Sequence, residues 1–100
     1  MVHHIILWKI KAEKTAEEKQ LILENVKKGL EGLKEQIPGI EKIHVQIEKL
    51  DTSTADLMLD SVFTDAAALK NYSTHPAHVH VADTYVRPNM ELRTCIDYED

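Results

Sequence analysis

Alternating apolar and polar positions predict four β-strands along the chain. In residues 2–11, large apolar side chains occupy both sets of alternate positions, whereas a strand with one solvated face carries them on one set only. Residues 41–49 alternate cleanly, and two further strands are predicted over 56–64 and 90–98. The apolar side chains on both sides of the first strand indicate that both faces of the sheet are covered.

The alternation also predicts which side chains share a face. In the first strand, one face is formed by Val2, His4, Ile6, Trp8 and Ile10, and the other by His3, Ile5, Leu7, Lys9 and Lys11. In the last strand, one face is formed by Met90, Leu92, Ile96 and Tyr98, and the other by Glu91, Arg93 and Asp97.

A three- and four-residue apolar period predicts a long helix between the first two strands. Thr15 and Glu18 have the spacing of a capping box at its start, and "IPGI" ends it because Pro38 cannot continue a helix. Gly29 and Gly32 cost helix propensity, so we expect a neighbouring element to approach the helix closely at both positions.

Two short helices are predicted between the third and fourth strands. The first is "AAALKNY", capped by Thr64 or Asp65, and the second begins at Pro76 within "THPAHVHVADTYV". The resulting order β-α-β-β-α-β predicts an α+β fold of the ferredoxin-like, split βαβ type, with a four-stranded antiparallel sheet and helices on one face. Residues 1–100 are expected to form a single domain.

Composition restricts the possible partners. The net charge of −5 and the pI near 5.6 argue against a nucleic-acid-binding protein and against attraction to an anionic membrane. Cys95 is the single cysteine, and the apolar run near the start is too short to span a bilayer, so we expect a cytoplasmic protein. A small domain whose sheet is apolar on both faces is expected to form a homodimer.

Three histidines lie within six positions in "HPAHVHVAD". His78 and His80 are two residues apart, about 200° around a helix, so they do not converge with His75 on one metal ion. We therefore predict no metal at this cluster. His75 is expected to cap the helix, and His80 is expected to face solvent.

His78 differs from the other two because it lies on an apolar helix face. That face also carries Val81, Ala82 and Tyr85. A buried imidazole needs hydrogen-bond partners, and the hydroxyl of Tyr72 would suit it. The residue pattern leaves two interpretations open: a core histidine with satisfied hydrogen bonds, or a catalytic histidine.

Four segments resemble one known family in the same order over nearly the whole chain. They are "MVHHIILWKIK", "IPGI", "HPAHVHVAD" and "IDYE", and they are similar to the stress-responsive α/β-barrel (Dabb) domain family. This resemblance implies a homodimer in which two ferredoxin-like sheets pack face to face into a barrel.

The resemblance also implies roles for individual residues. In a plant polyketide cyclase of this family, a histidine acts as the general base and a tyrosine orients the substrate, without metal or nucleotide. The matching positions are His78 and Tyr72, so both are expected to be catalytic and no cofactor is expected. His4 matches a first-strand histidine that faces the pocket. The ligand-binding positions are expected to be His4, Trp8, Phe63 and Tyr85.

Three functions are compatible with this resemblance. The first is a cofactor-free, cyclase-like enzyme that transfers protons on a small carbonyl-containing or aromatic ligand in an internal pocket. The second is a homodimer that binds a ligand or protects against stress without turnover, because a fold does not determine a function. The third is a cofactor-independent monooxygenase of the same architecture.

Overall fold

The four predicted strands form one antiparallel sheet. A computed structural model describes residues 1–100, and its sheet has the strand order β2-β3-β1-β4. The strands are β1 (Val2–Ile10), β2 (Ile40–Gln46), β3 (Leu57–Phe63) and β4 (Met90–Glu99). The predicted ferredoxin-like class is therefore confirmed, although β2 ends at Gln46 rather than at residue 49.

The helices connect β1 to β2 and β3 to β4. They are α1 (Ala16–Glu31), α2 (Ala66–Thr74) and α3 (Pro76–Val81). A 3₁₀ turn at Gly32–Glu35 continues α1, and a π-helical turn at Ala82–Val86 continues α3. None of these helices has the length and apolar character needed to cross a membrane.

Side-chain caps fix where the helices begin. Thr15 forms the predicted capping box of α1, and the carboxylate of Asp65 accepts a hydrogen bond of 2.8 Å from the Ala68 N–H at the start of α2. At the start of α3, His75 Nδ1 accepts from the Ala77 N–H at 3.1 Å. His75 is thus the predicted helix cap, and it also fixes the turn between α2 and α3.

Close packing against α1 occurs at one of the two predicted glycines. A Cβ atom at Gly29 would lie 2.9 Å from a methyl group of Val81, so the absent side chain lets α3 approach. At Gly32 nothing lies within 4 Å of such an atom. The prediction is wrong for Gly32, where α1 changes into the 3₁₀ turn and points the residue to solvent.

Replacing Gly39 by alanine is expected to destabilise the fold. Gly39 has φ +90°, and an added Cβ would lie 2.6 Å from the Ala68 Cβ of α2. Backbone strain and this clash together predict a loss of about 2–4 kcal/mol in the free energy of unfolding, measured by denaturant titration. The Gly32→Ala variant is the control, because that position is open and helical, and it should be neutral or slightly stabilising. Equal unfolding midpoints for Gly39→Ala and wild type would contradict the expectation.

One face of the sheet is packed against the helices and the other is open. The core lies on the helix side and includes the predicted β1 face that carries Ile6, Trp8 and Ile10. The open face of the protomer still presents large apolar side chains to solvent: Leu7, Leu92, Ile96 and Tyr98. This face is the surface for which the doubly apolar first strand predicts a covering partner.

The regular alternation of β4 is interrupted near its start. Lys9 of β1 pairs with Leu92, but the next residue, Ile10, pairs with Met90, so Glu91 is an additional residue in β4. Such a bulge turns the preceding residue to the opposite face, and Met90 packs against the core. The prediction that Met90 and Leu92 share a face is therefore wrong.

Candidate functional site

A cavity of about 190 Å³ lies between the helices and the sheet. Apolar side chains from α1, β1 and β3 form much of its wall. The polar groups on the wall come from His4, Trp8, Tyr72, Ser73, His78, Arg87 and Arg93. The cavity therefore combines an apolar interior with a small set of oriented polar groups, as ligand sites commonly do.

His78 and Tyr72 lie next to each other on the wall of this cavity. Their ring centroids are 4.2 Å apart, with an interplanar angle of 38°. His78 Nδ1 lies 3.2 Å from the carbonyl oxygen of Ser73. Because a carbonyl oxygen only accepts, Nδ1 carries the hydrogen, and the neutral ring keeps its lone pair on Nε2.

The surroundings of His78 favour this neutral form. Burial is the main cause that lowers its pKa from the ordinary value of 6.5, and the positive charges of Arg87 and Arg93 act in the same direction. The hydrogen bond to Ser73 opposes this shift. His78 is half-buried, whereas His80 is exposed, as predicted.

Two buried donors on the cavity wall have no hydrogen-bond partner in the protein. They are the hydroxyl of Tyr72, a residue 1% exposed, and Nε1 of Trp8, a residue 4% exposed. Burial also raises the pKa of Tyr72 far above its ordinary value of 10.0, so the phenol stays protonated. Buried donors are normally paired, which makes these two groups suited to a ligand that brings acceptors.

His4 reaches the cavity from β1 and is held from β4. Its Nδ1 hydrogen-bonds to the carboxylate of Asp97, and the Cys95 Sγ lies 3.7 Å from the same nitrogen. Burial and the negative charge of Asp97 raise the pKa of the Cys95 thiol. The possible metal-ligand atoms of these three residues lie within 4.8 Å of one another. This group differs from the histidine cluster at residues 75–80, which the sequence analysis considered for a metal. The expectation that no metal is bound stays a prediction.

The structure brings together four of the six predicted site residues. Tyr72, His78, His4 and Trp8 line the cavity, but Phe63 and Tyr85 do not. Phe63 is fully buried behind Tyr72, with ring centroids 4.9 Å apart.

A π-helical turn explains the position of Tyr85. The seven-residue offset from His78 assumed a continuous α-helix, but Ala82–Val86 is a π turn, which has more residues per turn. Val86 therefore takes the place on the cavity wall that the α-helical period gives to Tyr85. Tyr85 packs near Gly29 of α1 instead.

Two arginines on the cavity wall were not among the predicted site residues. Arg93 of β4 pairs in register with Trp8, and Arg87 follows the π turn. The alternation of β4 places Arg93 opposite Leu92 and Ile96, but it does not reveal which face meets the helices. The available signal was that Leu92 and Ile96 are apolar and suit the sheet face that a partner covers, which leaves Arg93 on the face that meets the helices.

Comparisons with known proteins identify the family. The model of the stress-responsive A/B barrel domain (Dabb) matches residues 2–100. A dimeric protein of unknown function with a ferredoxin-like fold, from Bacteroides fragilis, is 33% identical with a TM-score of 0.93, over 99% of this chain and 95% of that one.

More distant structures share the fold. An Arabidopsis thaliana protein is 23% identical with a TM-score of 0.79, over 100% of this chain and 95% of that one. A hydroxynitrile lyase from Passiflora edulis is 17% identical with a TM-score of 0.72, over 97% of this chain and 90% of that one. No functionally curated protein matches the chain. On the strength of the family match, this chain belongs to the stress-responsive A/B barrel domain family.

Proposed function

We propose that the chain is a cytoplasmic, homodimeric enzyme that transfers protons on a small carbonyl-containing or aromatic ligand without a cofactor. One observation carries the proposal: His78 shares an internal cavity with the unpartnered hydroxyl of Tyr72 and keeps its Nε2 lone pair free. A fixed base beside a fixed donor is the arrangement that enolisation requires.

The proposed step moves one proton from the ligand to His78. Nε2 takes an acidic C–H or phenolic proton, and the C–H or O–H electron pair stays on the ligand as an enolate or phenolate. Tyr72 donates a hydrogen bond to the oxygen on which this charge develops. Its raised pKa keeps the phenol in the donor form throughout.

The proposed homodimer forms through the open face of the sheet. Ile5 pairs in register with Ile96, and the ring of His3 stacks on Tyr98 at 4.6 Å, so the open face of β1 and β4 carries neighbouring apolar and aromatic side chains. The dimeric protein from Bacteroides fragilis supports the formation of a dimer, because it shares the fold at 33% identity. The cavity lies on the opposite, helix-covered side and stays accessible in such a dimer.

Binding or protection without turnover is the second candidate function. The unpartnered donors of Trp8 and Tyr72 favour it, since both need only an acceptor-bearing ligand and not a reaction. Proton exchange separates the two functions, because a binding protein would hold a carbon acid without speeding its exchange with solvent.

The exchange of acetylacetone C–H groups in D₂O, followed by NMR, tests the enzyme function through its pH dependence. The exchange rate is expected to fall about tenfold per pH unit on the acid side, with an apparent pKa below 6.5, because burial lowers the pKa of His78. Above this pKa the imidazole is neutral and the rate is expected to level off.

Acid unfolding must be separated from titration of the base. The lowered pKa means that the unfolded chain binds more protons than the folded one as the pH falls below 6.5, so folding stability is also lost in this range. Circular dichroism at each pH identifies the folded samples. A folded protein without protein-dependent exchange, or with an acid limb above 6.5, contradicts the proposed enzyme.

A further inference from the structure

We propose that the cavity selects ligands that carry a carboxylate, which is bound by Arg93 and Arg87 at the cavity mouth. This inference rests on the proposed ligand pocket and names the chemical class of its ligand, a small carboxylic acid in its anionic form. Guanidinium groups suit this role because their donors match the two oxygens of a carboxylate.

The charges on the cavity wall are unusual for this chain. The whole protein carries a net charge of −5, with 17 acidic residues. None of the 12 residues that line the cavity is acidic, yet two are arginines. The local excess of positive charge therefore belongs to the cavity and not to the general composition, and it favours an anion.

Arg93 is the arginine without a carboxylate partner, and its side chain lies within hydrogen-bond reach of the Cys95 thiol on its own strand. It forms no salt bridge, whereas Arg87 is paired with Asp83 one helical turn earlier. The carboxylate of Glu91, which lies in the groove next to both arginines, is held by the Ala12 N–H at 2.8 Å. Arg93 therefore has no acidic partner within its own chain.

The interior of the cavity also offers hydrogen-bond donors that lack acceptors. Trp8 Nε1 can only donate, and the protonated hydroxyl of Tyr72 is a second unpartnered donor. Both side chains are buried, whereas Arg87 and Arg93 are exposed. A ligand thus meets neutral donors at the inner end and guanidinium groups at the outer end.

The size of the cavity limits the ligand to about one ring. Its volume is about 190 Å³, and an apolar protein cavity of about 150 Å³ holds benzene. Benzoate and benzamide have the same shape and size but differ in charge, so they form a matched pair of probes.

Binding of the two probes is measured through Trp8. This residue is the only tryptophan, so its indole N–H gives a single side-chain signal in a ¹⁵N–¹H spectrum, and the signal comes from the cavity wall. We expect benzoate to shift the signal with an affinity roughly tenfold or more above that of benzamide. Equal affinities, or no response to benzoate at millimolar concentrations, overturn the inference.

Arg93→Gln tests the named residue. This variant is expected to weaken the binding of benzoate roughly tenfold or more and to leave the affinity for benzamide unchanged. Lys70→Gln is the matched control, because it removes the same charge from an exposed residue about 200° around α2 from Tyr72. Equal effects of the two variants overturn the role of Arg93.

Probe binding and acetylacetone exchange together separate this inference from the proposed function. Selective binding of benzoate without any acetylacetone exchange would support the carboxylate site and refute the proposed enzyme function. Exchange that depends on His78, without selective binding of benzoate, would refute the carboxylate site and support the proposed enzyme function.

Discussion

Replacing His78 by glutamine is expected to slow proton exchange of acetylacetone by roughly 10²- to 10⁴-fold, the usual contribution of a general base. The amide of glutamine still offers an N–H group to the Ser73 carbonyl that now accepts from Nδ1. It has no basic lone pair, so the proton acceptor is lost while much of the shape is retained. The rate ratio between variant and wild type, measured by NMR at a pH above 6.5, gives the result directly.

Two further histidine variants show whether the loss belongs to His78. His80→Gln alters an exposed residue two positions away and is expected to leave the rate nearly unchanged. His4→Gln alters another imidazole of the cavity, which is already bound to Asp97. A large loss in His4→Gln together with a small loss in His78→Gln would assign the base to His4. A His78→Gln variant with a lower melting temperature but a full rate would identify His78 as a structural core residue.

Replacing Ile96 by aspartate is expected to raise the dissociation constant of the dimer by roughly 10²- to 10⁴-fold. Burying one large aliphatic side chain stabilises by about 1.5–3 kcal/mol, and a two-fold interface loses this contribution twice. Ile96 is 61% exposed in the protomer, so the variant should fold normally. Sedimentation across a range of protein concentrations measures the change.

The control for this variant is Leu21→Asp on α1. Leu21 is 58% exposed, close to the exposure of Ile96, but it lies in the helical layer away from the open face of the sheet. It is expected to leave the dimer intact. A wild-type protein that sediments as a monomer at micromolar concentration would refute the proposed assembly, and equal effects of both variants would place the interface elsewhere.

The fold could be predicted from the sequence because several local signals agree. The capping box at Thr15 and the alternation of β2 each specify an element without reference to the rest of the chain. The prediction that the long helix continues to Pro38 is wrong, because α1 ends at Glu31 and is followed by a 3₁₀ turn over Gly32–Glu35. The bulge at Glu91 could not be predicted in this way, because it depends on how two strands pair.

The candidate site was predictable only in part, for geometric reasons. Tyr72 and His78 were identified through a resemblance, and the structure places both on one cavity wall. Arg93 was missed because alternation separates two faces without stating which one meets the helices. The polarity of such a strand becomes informative only when its neighbours and its covering layer are known.

The π turn at Ala82–Val86 makes chain length, and not only residue identity, a determinant of the ligand that fits. Removing Val86, the last residue of this turn, would restore the α-helical period and leave the phenol of Tyr85, seven residues after His78, where the smaller Val86 now stands. A chain without Val86 would thus enclose a shallower and more polar cavity. We therefore expect loss of this one residue to change which ligand fits, even where the histidine and the tyrosine are retained.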